Sequence, residues 1–376
     1  MRILYIIHST IMGGATWSFL NLIRGLRTMG VESVIVCPPN VDYEFLLEIK
    51  NDKFKIYKAD LVPLMINNTE SSFQYYRIKR KPLIISFKEL IKIIREVKPD
   101  IIHTNTGVVH EGFWCSKLFR IPHVWHLREY QDNDFNFKIL PSKQLFSKML
   151  RHSWTISITH DIQHHFKLEN ESKACTIYNG MLSENQICYE SEKSDYFLSA
   201  CRITPEKGID DTIRAFSEFY RNYNHKYKLF ILGFGSDKYI QVLKVLANDL
   251  GCASNVEFLG YKSLNTVAEY MRKAKALIVS SHFEGFGRMT AEAILSGCCV
   301  IGRNTGGTKE ILEQTGGYLF SSQDELFKAM KDVTNLSSLD YEHLILDAQS
   351  KASKLFTCEQ NVENTYNLYK KILHKK

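Results

Sequence analysis

Two glutamates, eight residues apart, form the part of the sequence best suited to chemistry. Glu284 lies in the segment HFEGFG after the apolar run ALIVSS, and Glu292 lies in RMTAEAILS. The helix formers over 288–296 predict a helix, and the first backbone N–H groups of a helix are a natural site for an anion. Amides that bind phosphate, beside carboxylates that accept hydrogen bonds from hydroxyls, suit a nucleotide sugar. The spacing alone fits equally well a loop-capping Glu284 and a solvated Glu292.

Glycines and cations accompany these glutamates. Gly285 and Gly287 let a ligand approach the backbone on either side of Phe286. The segment CRITPEKGID places Arg202 and Lys207 between the strand-like run YFLSA and a predicted helix. Both cations are expected at the same rim of a sheet, where a pyrophosphate needs two positive charges. Taken alone, such a pair is more often two ordinary surface charges.

The elements that must position these residues alternate between strands and helices. In the first half, the runs RILYIIHS, SVIVCP, IIHTN and HVWHL predict strands, and FKELIKIIREVKPD predicts a helix that Pro99 ends. The second half repeats this alternation with YFLSA, KLFILG, NVEFLG, ALIVSS and CCVIG as strands. The pattern predicts an α/β fold of two doubly wound, Rossmann-like domains, which bind ligands beyond the carboxyl ends of their strands. With two such domains facing each other, the site is expected in the cleft between them.

The domain boundary is predicted at a polar stretch. Residues 189–195 read YESEKSD and are the best linker candidate, because they lack any apolar periodicity. We therefore expect a first domain over residues 1–188 and a second over 189–357. The helical pattern near the C-terminus predicts a helix over 358–376 that packs back on the first domain.

Composition excludes several classes of protein. Of 376 residues, 44% are hydrophobic and 24% are charged, which is typical of a globular protein. The nine cysteines include no CxxC pair, which favours a reducing cytoplasm over a disulfide framework or a zinc site. The net charge of +7 is concentrated between Arg77 and Lys98, where eight basic residues face two acidic ones. No nucleic-acid-binding motif accompanies this basic segment, so nucleic acid is not an expected partner.

Taken together, the segments resemble the retaining glycosyltransferases of family four, which have the GT-B fold. The resemblance spans nearly the whole chain and is carried by HSTIMGGA, PHVWHLRE, IYNGM, SACRITPEKGID, NVEFLGY and EGFGRMTAEAILSGCCVIG. The pair of glutamates separated by seven residues is its most specific element. The segment PHVWHLREY resembles the corresponding segment of family members that assemble bacterial capsule, O-antigen or exopolysaccharide.

The resemblance implies roles for the residues of the predicted second domain. Glu284 matches the first family glutamate, which contacts the transferred sugar. Glu292 matches the second, which holds the nucleotide ribose. Arg202 and Lys207 match the pair that binds the donor diphosphate. Residues 285–287, Gly-Phe-Gly, supply backbone around the sugar and the phosphate.

The resemblance also implies roles in the first domain. His126 matches a histidine near the sugar. Gly13 and Gly14 match a loop that faces the donor phosphate and the acceptor. Many family members have a polar residue directly after this glycine pair, whereas residues 15–17 here are Ala-Thr-Trp, which leaves the acceptor contacts open.

The predicted function is transfer of a sugar from a nucleotide sugar, with UDP as the expected carrier, to a glycan or a lipid-linked acceptor. No carboxylate is an obvious nucleophile, so a front-face mechanism with retention is expected. No cofactor or metal is expected, because the cations stabilise the leaving diphosphate, and the Asp-x-Asp pair of Asp132 and Asp134 lies outside the donor segment. The alternatives are a nucleotide-sugar epimerase of the same fold and a nucleotide-sugar-binding protein without turnover.

The predicted location is the cytoplasm, with weak peripheral contact at an anionic membrane. This expectation depends on Arg77, Lys79, Arg80 and Lys81, which precede the apolar run LIIS in the predicted acceptor domain. A solvated loop and helix face is the alternative interpretation of the same residues.

Overall fold

The chain divides into two units. The structure is a computed structural model that describes residues 1–132 and 137–375, so that Asp134 of the acidic pair lies outside the described residues. The first unit contains Met1–Gly180 together with Cys358–Lys376, and the second contains Met181–Thr357.

The first unit is built on a parallel sheet. Its strands are β1 (Arg2–Ile6), β2 (Glu32–Cys37), β3 (Lys55–Lys58), β4 (Met65–Asn67), β5 (Ile101–Thr104), β6 (His123–Leu127), β7 (Phe137–Ile139), β8 (Trp154–Ser157) and β9 (Ala174–Thr176). Seven of them form the order β3-β2-β1-β5-β6-β8-β9, and β4 pairs with β7 in antiparallel fashion. The central strands are buried along their length, because helices cover both faces of the sheet.

The first unit's helices include one from the C-terminus. They are α1 (Gly14–Thr28), α2 (Tyr43–Asp52), α3 (Ser72–Val97), α4 (Glu111–Phe119), α5 (Lys143–Arg151), α6 (His160–His165) and, last in the chain, α14 (Cys358–His374). Helix α14 packs against α1, where a side chain at Gly25 would collide with Val362. The C-terminal helix therefore belongs to the core of the first unit.

Helix α3 is longer than the sequence pattern predicted. The apolar periodicity indicated a helix that begins at Phe87 and is ended by Pro99, whereas the helix runs from Ser72 to Val97 with Pro82 inside it. Its second half buries Leu90, Ile93 and Ile94, and that half is the part with a clear apolar stripe. The first half has few buried side chains, so periodicity gave no signal there.

The second unit is also doubly wound. Its strands are β10 (Tyr196–Ala200), β11 (Lys228–Leu232), β12 (Val256–Gly260), β13 (Ala276–Val279), β14 (Val300–Arg303) and β15 (Tyr318–Phe320), and its helices are α7 (Ile209–Asn222), α8 (Asp237–Asp249), α9 (Leu264–Lys273), α10 (Arg288–Leu295), α11 (Gly306–Thr315), α12 (Gln323–Asn335) and α13 (Ser338–Phe356). The strands are parallel in the order β12-β11-β10-β13-β14-β15.

The division between the units lies earlier than the predicted boundary. The first unit ends at Gly180, whereas the polar stretch placed the boundary between 188 and 189. The polar stretch over 189–195 belongs to the second unit and forms hydrogen bonds within it, so it is not a linker between two domains. Lys193 Nζ donates to the carbonyls of Arg272 at 2.5 Å and Gly297 at 2.8 Å, and Gln349 donates to the carbonyl of Cys188 at 2.7 Å.

Candidate functional site

Sheet topology brings Lys207 and Glu284 of the second unit together. β10 lies beside β13, with β11 and β12 on one side and β14 and β15 on the other. The order of the strands thus reverses between β10 and β13, and such a switch point opens a crevice at the carboxyl ends of the two strands. The loop after β10 carries Lys207 and the loop after β13 carries Glu284.

Lys207 and Glu284 form an ion pair in this crevice. Lys207 Nζ lies 2.6 Å from Glu284 Oε1, and the two side chains are 18% and 22% exposed. The sequence separates them by 77 residues, so their contact depends on the adjacency of the strands. Both groups remain accessible enough to exchange this partner for a ligand.

The loop that carries Lys207 is fixed by its neighbour. Pro205–Lys207 form one turn of 3₁₀ helix, and Gly208 follows with φ +61°. A Cβ atom at Gly208 would lie 2.3 Å from the Ser280 carbonyl oxygen, so only glycine fits there. The Ser280 hydroxyl donates to the Lys207 carbonyl at 3.0 Å, which holds the two loops together.

A pair of glycines that was not among the predicted site residues supports the Glu284 loop. Gly307 N–H donates to the Glu284 carbonyl at 2.8 Å. A Cβ atom at Gly306 would lie 2.4 Å from that same oxygen, and one at Gly307 would lie 2.0 Å from the carbonyl oxygen of Phe286. The glycine pair in NTGGTKEIL could have indicated this contact from sequence, because adjacent glycines before a helix indicate close backbone approach.

The first turn of α10 contains no acidic side chain. Gly287, with φ +87°, precedes the helix and supplies no side-chain cap. The N–H groups at the start of such a helix lack partners within it, and the helix dipole favours an anion there. Residues 285–287 lie directly before this end, so their predicted position beside an anion site fits the geometry.

Glu292 is paired with a residue that the sequence analysis did not select. Arg288 Nε lies 2.5 Å from Glu292 Oε1, one helical turn away, and the side chains are 25% and 12% exposed. The spacing of four residues between Arg288 and Glu292 on a predicted helix could have indicated this ion pair from sequence. This contact joins one carboxylate oxygen of Glu292 to the first residue of α10.

Two other predicted residues of this unit differ in exposure. Arg202 is exposed and lies in the loop that follows β10. Phe286 is 6% exposed and its ring meets Phe356 edge to face at 6.0 Å, which anchors the glutamate loop to α13. Phe286 thus supports the loop through its side chain.

The predicted glycines of the first unit line a cavity. Gly13 precedes α1 and Gly14 is its first residue, and a Cβ atom at Gly13 would meet no atom of the described residues within 4 Å. The cavity has a volume of about 280 Å³ and is lined by residues that follow β1, β5 and β6, among them Asn105, Arg128 and Glu129. These strands surround the switch point of the first sheet, between β1 and β5.

Arg128 is a cation in this cavity that the sequence analysis did not select. It is 6% exposed and donates through Nε to Asn105 at 3.0 Å and through Nη1 to Asn179 at 2.7 Å. Burial lowers the pKa of Arg128 to about 10, and nearby Glu129 opposes that shift. The residue therefore stays charged at neutral pH.

His126 lies two residues before Arg128 and is completely buried. Its Nδ1 atom is 3.2 Å from Nε2 of His103, and His103 Nδ1 is 2.6 Å from the Tyr369 hydroxyl of α14. Burial lowers the pKa of His126 well below the usual range, so its imidazole is neutral. His126 does not line the cavity itself. Its predicted contact with a sugar stays a prediction.

The described ranges contain no group of three or more histidine, cysteine, aspartate or glutamate side chains arranged to hold a metal ion. None of the helices in the described part of the chain has both the length and the apolar composition that crossing a membrane requires. His160 and His164, which have a zinc-helix spacing, lie on α6, where His164 contacts Glu169.

Comparisons with known proteins agree with this architecture. A model of Glycosyltransferase Family 4 matches residues 12–181, and a model of Glycosyl transferases group 1 matches residues 184–350. The chain is 24% identical to the alpha-monoglucosyldiacylglycerol synthase of Acholeplasma laidlawii, over 85% of this chain and 84% of the relative. It is also 24% identical to the O-antigen chain mannosyltransferase of Salmonella typhimurium, over 87% of this chain and 88% of the relative.

Solved structures share the fold. The Anabaena protein HepE in complex with UDP matches with a TM-score of 0.80 at 17% identity, over 99% of this chain and 100% of that chain. The lipopolysaccharide outer core galactosyltransferase WaaB matches with a TM-score of 0.73 at 16% identity, over the full length of both chains. The predicted GT-B fold is confirmed, and the chain belongs to the family-four glycosyltransferases of that fold.

Proposed function

We propose that the protein transfers a sugar from a UDP-sugar to a hydroxyl group of a glycan or a lipid-linked acceptor, with retention of anomeric configuration. The observation that carries this proposal is the contact of Lys207 with Glu284 at the switch point of the second sheet. A cation, a carboxylate and the amide end of α10 together suit a diphosphate joined to a sugar. HepE in complex with UDP, and relatives named for O-antigen and glycolipid synthesis, support the choice of substrates.

The chemistry follows from the charges in the crevice. The donor diphosphate replaces Glu284 as the partner of Lys207, and Arg202 and the first amides of α10 bind its remaining oxygens. Glu284, once released, accepts hydrogen bonds from the transferred sugar. Glu292, held by Arg288 through one oxygen, accepts from the ribose through the other.

Transfer then proceeds on one face of the sugar. The bond from the anomeric carbon to the phosphate oxygen breaks while the acceptor hydroxyl oxygen attacks from the same side. The departing phosphate oxygen takes the proton of that hydroxyl. Lys207, Arg202 and the helix amides stabilise the developing negative charge, so the proposed reaction uses no metal or cofactor.

A panel of donors tests the proposed reaction. Thermal unfolding is followed with UDP-, GDP- and ADP-sugars, and the stabilising donor is then incubated with and without glycan or lipid-linked acceptors. The proposal expects stabilisation by UDP-sugars and a product whose anomeric proton coupling matches that of the donor. An inverted product, or a UDP-sugar that leaves the midpoint unchanged, contradicts it. A free sugar that is released with donor alone and is epimerised at a ring carbon other than the anomeric one identifies the epimerase instead.

We also propose that α3 brings the enzyme to an anionic membrane surface. The first half of this helix exposes apolar side chains, among them Phe73 at 76% and Ile78 at 67%. Basic residues alternate with them, and Arg77, Arg80 and Lys81 are exposed. Each such cation contributes about 1 kcal/mol near an anionic leaflet, which is enough for loose and reversible contact.

Vesicle sedimentation tests the proposed membrane contact. The protein should sediment with anionic vesicles at low salt, remain in solution with neutral vesicles, and dissociate at high salt. A variant with Arg77, Arg80 and Lys81 changed to Gln should lose this binding. A control with the exposed Lys226, Lys238 and Lys328 changed to Gln has the same net charge and should keep it. Equal sedimentation of the two variants refutes the docking surface.

A further inference from the structure

Arg303, the last residue of β14, contacts three other elements of the second unit. Its Nε atom donates to the Ser280 carbonyl at 2.9 Å, directly after β13, and its Nη2 atom pairs with Asp211 in the first turn of α7. Its guanidinium carbon lies 5.1 Å from the centre of the Phe320 ring of β15. The side chain is 16% exposed, so most of it is buried among these contacts.

Ser280 connects this arginine to the backbone of Lys207. The Thr212 hydroxyl donates to the Ser280 hydroxyl at 2.8 Å, and the Ser280 hydroxyl donates to the Lys207 carbonyl at 3.0 Å. Thr212 and Ser280 are buried, so breaking this chain of hydrogen bonds would leave a buried polar group without a partner. Arg303 holds the carbonyl group of the same serine. It therefore fixes the residue that holds Lys207.

The contacts of Arg303 also reach the residues that follow Lys207 along the chain. A Cβ atom at Gly208, the next residue, would lie 3.5 Å from Arg303 Nη2, so the guanidinium packs against the backbone there. Asp211 follows Lys207 by four residues, and its ion pair with Arg303 joins the first turn of α7 to the end of β14. The backbone on the C-terminal side of Lys207 is thus held by the same side chain as Ser280.

The chemistry of arginine suits this position. Its planar guanidinium donates in two fixed directions at once, here to a carbonyl and to a carboxylate. A lysine would keep a positive charge beside Asp211 but has no rigid fork to reach the Ser280 carbonyl at the same time. A methionine would offer neither contact. Replacing Arg303 by lysine or by methionine should therefore loosen the Lys207 loop to different degrees.

We propose that Arg303 is a positioning residue that acts through Ser280 and Asp211 to hold Lys207 against Glu284. The Lys207 ammonium lies at the end of a flexible side chain, so its place in the crevice depends on where the backbone of its loop lies. The consequence for a ligand rests on the proposed function, in which Lys207 meets the donor diphosphate. The positioning itself rests on contacts within the second unit alone.

Chemical labelling of lysines tests the positioning without any ligand. The full-length protein is treated briefly with acetic anhydride, and mass spectrometry follows the rate of acetylation at each lysine. Arg303→Met should raise the rate at Lys207 several-fold, because its amine is no longer held at Glu284. Arg303→Lys, which keeps a cation beside Asp211, should raise it less. An unchanged rate at Lys207 in both variants overturns the proposal.

Lys193 reports whether the second unit keeps its fold in these variants. Its amine donates to two backbone carbonyls of the same unit, so its acetylation should stay slow while that of Lys207 rises. An equal rise at Lys193 and Lys207 would mean that Arg303 stabilises the unit as a whole, which also overturns the proposal.

Arg272 supplies a matched control. It is mostly buried and pairs through Nε with Glu190 at 3.1 Å, but it lies in the last turn of α9, before the amino-terminal end of β13. The crevice lies at the opposite, carboxyl end of that strand. Arg272→Met should therefore leave the acetylation of Lys207 at the wild-type rate. A rise as large as that in Arg303→Met would show that loss of a distant ion pair has the same effect, and would contradict the assigned role.

Titration with UDP and UMP extends the test to the proposed ligand. Arg303→Met should weaken UDP binding several-fold and leave UMP affinity unchanged. In a Lys207→Ala background it should cause no further loss of UDP affinity, because both changes act on the same contact. Additive losses in the double variant contradict action through Lys207. Failure of the wild type to bind either nucleotide would count against the proposed function, whereas the acetylation rates would still decide the positioning.

Discussion

The two units hold their candidate site residues in opposite electrostatic states. In the second unit, Lys207 and Glu284 are charged, partly exposed and paired with each other. In the first unit, His103 and His126 are neutral, fully buried and part of a hydrogen-bonded row. The first arrangement can exchange partners with a ligand at small cost, since its ions stay near water. The second is a rigid scaffold, because every change in it exposes an unsatisfied buried group.

This difference separates two tasks. Charged pairs that open on binding are suited to the part of a donor that carries and develops negative charge. A neutral hydrogen-bonded network instead fixes the relative positions of the elements that it joins. We therefore expect changes in the second unit to alter diphosphate binding and the chemical step, and changes in the first unit to alter orientation and stability.

The largest expected effect is the loss of turnover in Glu284→Ala. The variant removes the carboxylate proposed to contact the transferred sugar and leaves Lys207 without its resting partner. We expect kcat to fall by at least about 100-fold, on the scale of removing one preorganised polar group from an active site. Steady-state kinetics measures this, with circular dichroism to show that the fold is retained. Turnover within a factor of three of the wild type would leave the pair without a catalytic role.

The next largest effect is the loss of UDP affinity on removal of either cation predicted to bind the diphosphate, and the two losses should differ. Lys207→Ala should weaken UDP binding by about 1.5–3 kcal/mol, because it removes a charge-assisted contact in a half-buried crevice. Arg202→Ala should cost less than about 1 kcal/mol, because Arg202 is exposed and its charge is screened by water. Isothermal titration of each variant with UDP ranks them. An equal loss in both would mean that exposure does not set their contributions.

Acid should destabilise the first unit through its buried histidines. Burial lowers the pKa of His110 to about 4, so the unfolded chain takes up a proton at higher pH than the folded one does. Stability is retained above pH 6.5 and is lost as the pH falls from 6.5 towards 4. His110→Phe, which keeps a ring against Phe146, should reduce the loss of unfolding free energy between pH 7 and pH 5 by about 2 kcal/mol. Urea unfolding of the wild type and the variant at the two pH values measures this effect. If both proteins lose the same unfolding free energy between pH 7 and pH 5, the lowered pKa of His110 is contradicted.

A smaller effect than that of Lys207→Ala is expected from the ion pair on α10. Arg288→Met removes the partner of Glu292 and keeps a helix-forming, similarly sized side chain. We expect UDP affinity to fall about three- to tenfold, as for one modest hydrogen-bonded contact. Glu292→Gln, which keeps an acceptor oxygen, should lose less. Isothermal titration with UDP compares the two variants. A greater loss of UDP affinity in Glu292→Gln than in Arg288→Met would contradict this ranking.

Much of this account was predictable from local sequence. The strands and the two glutamates of the second unit were identified because short apolar runs, glycines and helix formers have local signatures. Lys207 could be placed at a rim of the sheet, but its direct contact with Glu284 depends on the pairing of β10 with β13, which no local pattern contains.

The first unit was less predictable because its site is assembled from distant parts of the chain. Tyr369 meets His103 across 266 positions, and Arg128 meets Asn179 across 51. The boundary between the units was also misplaced, because the polar residue Lys193 forms hydrogen bonds with backbone carbonyls of the second unit and does not lie in a linker.

We expect Lys207 to bind the second phosphate of the donor in the crevice between β10 and β13. Isothermal titration of UDP and UMP, with the wild type, Lys207→Ala and the exposed control Lys328→Ala, tests it most directly. We predict that the wild type and the control bind UDP at least about tenfold more tightly than UMP, and that Lys207→Ala loses most of this preference. A preference for UDP that survives in Lys207→Ala would contradict the account.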